Sequence, residues 1–221
     1  MSFNPAEMPL LIAAAVEECL LAAASTAPPL TAIATIDKNA ASDSLTDRLA
    51  KLGQQPHVRL FLRLEQPVDD DGVFPADLLS LKPAGIVLPD CAGRADVQKL
   101  AAALRVAEAK NDLADGSTAI IAEVGADPAF FLSPHPLANG STRLCGLVLD
   151  QDDAGSGAVA AYARAIAVLK ARQAGIPCHL FMPADIPPST SVPDFRHAAL
   201  GDGFAGIVAR SAVQLAALLA I

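Results

Sequence analysis

Short apolar runs alternate with helical patterns along the whole chain, and this alternation limits the possible folds more than any other feature. Eight runs have the character of buried strands, at residues 10–15, 30–36, 58–64, 84–88, 119–124, 144–149, 178–182 and 204–209. Helical patterns follow them at 17–25, 42–52, 75–81, 96–110, 128–132, 158–173, 194–200 and 212–220. Fully apolar strands between helices are typical of a parallel sheet covered on both faces. Eight units of roughly 28 residues predict an α/β protein, a (β/α)8 TIM barrel.

An open, doubly wound sheet is the alternative fold for the same alternation. No glycine-rich phosphate loop follows the first strand, so the dinucleotide-binding fingerprint is absent from the sequence. No linker-like change of composition separates two cores either. We therefore favour the barrel and expect residues 1–221 to form one domain.

The composition disfavours several classes of partner. The chain is 52% hydrophobic, and its net charge is −8. Nucleic acids and anionic membranes both require a basic face, so neither is expected as a partner. The apolar stretch 8–24 is interrupted by Glu17 and Glu18 and lacks a basic region before it, which argues against a signal peptide or a membrane span. We expect a cytoplasmic protein.

Cysteines and histidines offer no recognisable catalytic or zinc-binding pattern. Cys19, Cys91, Cys145 and Cys178 are widely spaced without a C-x-x-C pair, so buried, reduced thiols are expected. His179 falls inside a predicted strand and is expected to be a satisfied core residue. No Ser–His–Asp or Cys–His arrangement can be assembled, which disfavours a hydrolase.

Charged residues collect where the predicted strands end, which in a barrel is the face that carries the active site. They are Asp37, Arg63, Glu65, Asp90, Glu123, Asp150, Asp152, Asp153 and Asp185. The fifth and sixth strands are neighbours, so their carboxylates are expected to approach one another. Two carboxylates with several waters form a typical Mg²⁺ site, and an arginine beside them would bind a substrate carboxylate. The alternative is that strand ends are polar only because loops are solvated.

Several segments together resemble one enzyme family. They are LRLE at 62–65, GIVLP at 85–89, AEV at 122–124, LDQDD at 149–153, ARQAGIP at 171–177 and GFAGIVARSAVQ at 203–214. In this order and spacing they are similar to the motifs of the aldolase/citrate lyase β-subunit superfamily of TIM-barrel lyases. The resemblance covers about residues 31–214.

The resemblance implies an activity and a set of roles. Glu123 and Asp153 would hold Mg²⁺, Arg63 would contact the substrate, and Asp37 is what remains of an acidic substrate-side motif. The implied reaction is carbon–carbon cleavage of a hydroxy-acyl-CoA or an oxo-acid through an enolate. Homo-oligomers are common in the family, and the apolar final helix at 212–220 agrees with a buried contact between subunits, although a helix packed on the core explains it equally well.

The same motifs depart from the family pattern at several positions. Asp90 stands where the family has lysine, Glu65 where it has asparagine, and Asp150 where it has glycine. The segment 210–212 replaces I-H-P, and Ile207 replaces a second lysine. These changes favour an alternative, a non-catalytic barrel that serves assembly or metabolite binding. In that case Arg63 is expected to pair with a neighbour such as Asp153 or Glu65 and to fill the site.

Overall fold

The computed structural model describes residues 11–25, 29–36, 43–69, 71–125, 127–152, 157–184 and 191–220. Its strands are β1 Leu11–Ala15, β2 Leu30–Ile36, β3 Val58–Leu64, β4 Gly85–Leu88, β5 Ala119–Val124, β6 Leu144–Leu149, β7 Cys178–Phe181 and β8 Gly206–Ala209. Its helices are α1 Val16–Ser25, α2 Asp43–Gly53, α3 Arg94–Lys110, α4 Pro128–Leu132, α5 Gly157–Ala174, α6 Val192–Gly201 and α7 Ala212–Leu219, with a 3-10 helix at Ala76–Leu81.

The strands pair in chain order and close on themselves. Every neighbouring pair is parallel, and β1 bonds both to β2, with Leu11 opposite Thr31, and to β8, with Leu11 opposite Val208. The predicted (β/α)8 barrel is confirmed, and the open sheet is excluded because β1 has a neighbour on each side.

Alternation along the strands separates two apolar layers. One row of side chains fills the barrel interior: Leu11, Ile33, Phe61, Val87, Ile121, Cys145, Val148, Phe181 and Val208. The other row packs under the helices, as Leu62 and Ile86 do. Gly85 leaves room for the Phe61 ring, since a Cβ atom there would lie 2.4 Å from a ring carbon. The interior is therefore a packed core with polar side chains only near its two ends.

Two predicted elements differ from the structure for local reasons. The segment predicted as a helix at 75–81 is a 3-10 helix, in which the Leu78 amide bonds to the carbonyl of Pro75 three residues back. The last strand begins at Gly206 rather than 204, because the amides of Gly203 and Phe204 still bond back to carbonyls of α6.

All four cysteines are buried free thiols, as predicted, and burial raises the pKa of Cys145 to about 12. His179 is buried in β7, and burial lowers its pKa to about 4. The predicted core position is thus confirmed, and the imidazole has a hydrogen bond with the Leu147 backbone, but its Nδ1 atom finds no partner in the described part of the chain. Within the residues described, no helix combines the length and the hydropathy that crossing a bilayer demands.

A buried ion-pair network fastens the N-terminal ends of β5 and β6 to α3. Both guanidinium Nη atoms of Arg143 donate to Glu108, each at 2.7 Å, and Nη2 also donates to Asp115 at 2.6 Å. The amides of Gly116 and Thr118 donate to the same Glu108 carboxylate. Burial alone opposes ionisation of Glu108, but these bonds outweigh it and lower its pKa to about 2.

We predict that Glu108→Gln lowers the free energy of unfolding by about 3–5 kcal/mol at pH 7, because it leaves the Arg143 charge buried without its main partner. The pKa of Glu108 is depressed in the folded state, so this stabilisation is present above its unfolded value near 4.5 and is lost as pH falls toward 2. The deficit of the variant should therefore shrink between pH 5 and pH 2. Urea unfolding across that range measures it.

Arg105→Gln is the matched control, because it breaks an exposed ion pair with Asp115 and should cost less than about 1 kcal/mol. Equal stability of Glu108→Gln and the unmodified protein at pH 7 would contradict the structural role of the network.

Candidate functional site

Four charged side chains converge at the C-terminal mouth of the barrel. Each continues the inward-facing row of its strand by two residues: Arg63 after Phe61, Glu123 after Ile121, Asp150 after Val148 and Arg210 after Val208. The β5 and β6 ends touch, since the Asp150 amide donates to the Val124 carbonyl at 2.8 Å. Because side chains alternate between the two faces of a strand, all four of these point into the barrel and lie at the same opening.

Arg63 and Glu123 form a two-point ion pair across the mouth. Nε of Arg63 lies 2.8 Å from Oε2 of Glu123, and Nη2 lies 2.5 Å from Oε1. The hydrogen bonds to Glu123 raise the pKa of Arg63 above its usual value, with smaller contributions from the charges of Asp90 and Asp150. The glutamate side chain is 7% exposed and the arginine 24%, so solvent reaches the guanidinium side of the pair.

Arg210 bonds to the two aspartates, Asp150 and Asp152, that follow β6. Its Nη2 atom donates to both carboxylate oxygens of Asp150, at 2.6 and 2.7 Å, and lies 3.3 Å from Asp152. Nε donates to the Met182 carbonyl at 2.8 Å, and the guanidinium carbon stands 4.4 Å from the centre of the Phe181 ring. The Asp150 carboxylate is consequently held in place from the β8 side.

The structure brings some of the predicted residues together and separates others. Arg63, Glu123 and Asp150 meet at the mouth. Glu65 and Asp90 line an adjoining opening of about 360 Å³ beside the β3 and β4 ends, and Asp90 is still close enough for its charge to act on Arg63. Asp37, Asp153 and Asp185 lie outside the described residues. Arg63 does pair with a neighbouring carboxylate, as the non-catalytic alternative expects, but the partner among the described residues is Glu123 rather than Glu65. A pair with Asp153 is not tested, because that residue lies outside the described residues.

Arg210 is the mouth residue that sequence reasoning missed as a site residue. It was visible only as one of four replaced positions in the last motif. Two signals pointed to it: it extends the inward row of β8 by two residues, and it is a cation in a chain whose sixth strand ends on an extra acid. Neither signal reveals that the two charges meet.

The described mouth carries more negative than positive charge. Two guanidinium groups, of Arg63 and Arg210, face three carboxylates bonded to them, of Glu123, Asp150 and Asp152. Asp90 adds a fourth carboxylate close enough to raise the pKa of Arg63. No group of three or more histidine, cysteine, aspartate or glutamate side chains is arranged to hold a metal ion among the described residues.

A larger opening, of about 930 Å³, lies at the opposite end of the barrel. Arg59, Ser117, Asn139, Ser141 and Arg143 are among the side chains around it. This is the N-terminal end of the strands, where barrels are held together rather than where they react. None of the predicted site residues lines it.

We predict that Asp150 and Arg210 are strongly coupled in stability. Asp150→Asn and Arg210→Met should each destabilise the protein, and the double variant should lose less than the two effects added, with a coupling of about 1.5–3 kcal/mol. Urea unfolding of the four proteins measures it. The exposed Arg164–Asp202 pair is the control, where coupling below about 1 kcal/mol is expected. Additive effects at Asp150 and Arg210 would show that the pair contributes nothing.

No protein-family model matches the sequence, and comparison with curated proteins gives no match. Solved structures do match in fold. The citrate lyase β subunit from M. tuberculosis, complexed with oxaloacetate and magnesium, has a TM-score of 0.68 at 18% identity, over 98% of this chain and 97% of that one. Haloferax volcanii malate synthase, as a lead(II) complex, has a TM-score of 0.68 at 18% identity, over 99% of this chain and 73% of that one.

A citrate lyase from Burkholderia xenovorans LB400 has a TM-score of 0.67 at 14% identity, over 99% of this chain and 79% of that one. These proteins belong to the superfamily that the sequence motifs resemble. The chain therefore has the barrel fold of the citrate lyase β-subunit and malate synthase structures, as the motifs predicted.

Proposed function

We propose that this protein is a carbon–carbon lyase or aldolase that acts on a small oxo-acid at the mouth of the barrel. The observation that carries the proposal is the Arg63–Glu123 pair. A partly exposed guanidinium is fixed by a buried carboxylate at the catalytic end of the fold. The excess of acids around the pair favours a small oxo-acid over the more highly charged CoA thioester as the first substrate to test.

Arg63 is the substrate-binding group in this proposal. Glu123 occupies Nε and Nη2, while Nη1 has no hydrogen-bond partner among the described residues. A guanidinium held on one edge presents its remaining donors in a fixed direction, which suits recognition of a carboxylate. Arg63 would thus orient the substrate so that its carbonyl lies over the β5 and β6 ends. Asp37 remains a second substrate-side candidate from the sequence, outside the described residues.

A divalent metal fits the chemistry of the mouth. The acidic side chains there offer only carboxylate oxygens, the ligands that Mg²⁺ prefers, and the excess negative charge favours a cation. Glu123 and Asp153 would hold the ion, with Asp153 outside the described residues. When bound, the metal would polarise the substrate carbonyl and stabilise the negative charge that develops as the carbon–carbon bond breaks.

In this scheme Glu123 would bind both the metal and Arg63, because both of its oxygens already accept hydrogen bonds from Arg63. If Glu123 held a cation, its hydrogen bonds to Arg63 would weaken, and the Arg63 donors would become available to a substrate carboxylate. Binding of the metal and binding of the substrate should therefore favour each other.

The first test is calorimetric titration with Mg²⁺. Glu123→Gln and Asp153→Asn should each abolish measurable Mg²⁺ binding, because each removes a carboxylate from a two-ligand site. Glu65→Gln, an exposed acid on the neighbouring rim, should bind as the unmodified protein does. Unchanged Mg²⁺ affinity in both Glu123→Gln and Asp153→Asn would contradict the metal assignment.

The second test distinguishes metal binding, assigned to Glu123, from substrate binding, assigned to Arg63. In the unmodified protein, saturating oxaloacetate should increase Mg²⁺ affinity. Arg63→Met should bind Mg²⁺ at least as tightly on its own, yet lose oxaloacetate affinity by roughly 10- to 100-fold, the value of a charge-assisted hydrogen-bonded pair. Arg105→Met, an exposed arginine on α3, is the control. Independent binding of the two ligands would contradict the exchange of partners at Glu123.

The second candidate function is metabolite binding without catalysis. The observation in its favour is that Glu123, Asp150 and Asp152 all bond to arginines. Carbon-13 NMR of oxo-acids incubated with the protein and Mg²⁺ discriminates the two candidates. New products that disappear with Glu123→Gln would support the lyase, and binding with no product would support the metabolite-binding protein.

A further inference from the structure

An apolar stripe runs along the outer face of α5. Val159, Tyr162 and Leu169 are exposed by 65%, 51% and 58%, and Ile166 lies half-buried between them. The spacing of three, four and three residues is that of the two apolar positions of a coiled-coil heptad. The same helix packs on the barrel with its opposite face, through residues such as Ala163 and Ala167. The stripe therefore has no partner within the described chain.

The patch extends onto the neighbouring helix α4. Leu132 is 73% exposed, and Lys170 on α5 donates to the carbonyls of Phe130 and Ser133 on either side of it. The four large exposed side chains present on the order of 400 Å² of apolar surface, the size at which a contiguous patch marks an interaction site. The exposed Ala158, Ala161 and Ala165 fill the helix face between them without adding charge.

We propose that α5 packs antiparallel against α5 of a second copy of this chain, forming a two-fold dimer. The positions of the stripe are symmetric about residue 164, since 159 and 169 lie five residues from it and 162 and 166 lie two. A two-fold axis at the level of Arg164 therefore places Val159 opposite Leu169 of the other copy. Tyr162 then lies opposite Ile166 of the other copy. Every large side chain meets another, which is the self-complementarity that a two-fold interface requires.

Two of the three cations on α5 are engaged by polar groups of their own molecule. Arg164 bonds to Asp202, and Lys170 bonds to two backbone carbonyls. The Arg172 guanidinium packs over the backbone of Gly203, where a Cβ atom would lie 2.5 Å from Nη2. The stripe itself carries no charged side chain, and an uncharged, self-matching stripe suits a second copy.

The available area agrees with a dimer. A standard interface buries about 800 Å² on each partner, as an apolar core within a polar rim. The stripe with Leu132 supplies about half of that as core, and the polar ends of α4 and α5 remain for the rim. Because the stripe lies on the outer surface, the dimer does not depend on the proposed function of the mouth.

Sedimentation equilibrium of the full chain tests the proposal. The unmodified protein should be a dimer, and Leu169→Glu should raise the dissociation constant at least tenfold, because two buried carboxylates would face an apolar core. Val213→Glu on α7, at a position 79% exposed, should remain dimeric. Circular dichroism should show that both variants are folded. A monomeric unmodified protein, or a Leu169→Glu dimer of unchanged affinity, would overturn the proposal.

A cysteine near the axis provides a second measurement. Ala165→Cys places one thiol close to its copy across the two-fold axis, and mild oxidation should give a disulfide-linked dimer. The native cysteines are all buried and should not compete. Ala216→Cys, at an exposed position on α7, should stay largely uncrosslinked. Equal crosslinking of both variants would overturn the placement of the axis on α5.

Discussion

Closure of the barrel is the constraint on which the rest of the structure depends. Eight parallel strands in chain order force one row of side chains inward, and the apolar members of that row fill the interior. A charged side chain in the inward row must therefore lie near one of the two ends. There it is only partly solvated, and an unpaired charge is costly. This is why Arg63, Glu123, Asp150 and Arg210 are all bonded to a charge of opposite sign.

The fold was predictable because its information is local. Each strand and each helix has its own pattern of hydrophobic residues, and eight successive strand–helix units are compatible with few topologies. The errors occurred where hydrogen bonds, rather than hydropathy, decide the boundary, as at Gly203 and Phe204 after α6. For the site, strand ends identified Arg63 and Glu123 as neighbours of the mouth. Their mutual pairing was not predictable, because it depends on which of several nearby carboxylates the arginine can reach with two hydrogen bonds.

Two departures from the family pattern turn out to be linked. Asp150 stands at a glycine position and Arg210 at an I-H-P position, and each alone suggests a damaged site. In the structure they bond to one another across 60 residues of sequence. A carboxylate that is almost buried at the end of β6 requires a cation, and the end of β8 supplies it. The two replaced positions therefore compensate one another in charge.

The two ends of the barrel use the same bidentate arginine–carboxylate pair with different consequences. At the N-terminal end, the Arg143 and Glu108 side chains are 5% and 1% exposed, and Glu108 accepts further amide bonds, so this pair is sealed from solvent although Asp115 beside it is exposed. At the mouth, Arg63 is 24% exposed, and its Nη1 atom has no hydrogen-bond partner within the part of the chain that the structure describes. A sealed pair can be broken only by opening the protein, but a pair that solvent reaches can exchange one partner for a ligand. Accessibility, rather than hydrogen-bond geometry, therefore distinguishes the pair that holds the fold from the pair for which we propose a role in substrate binding.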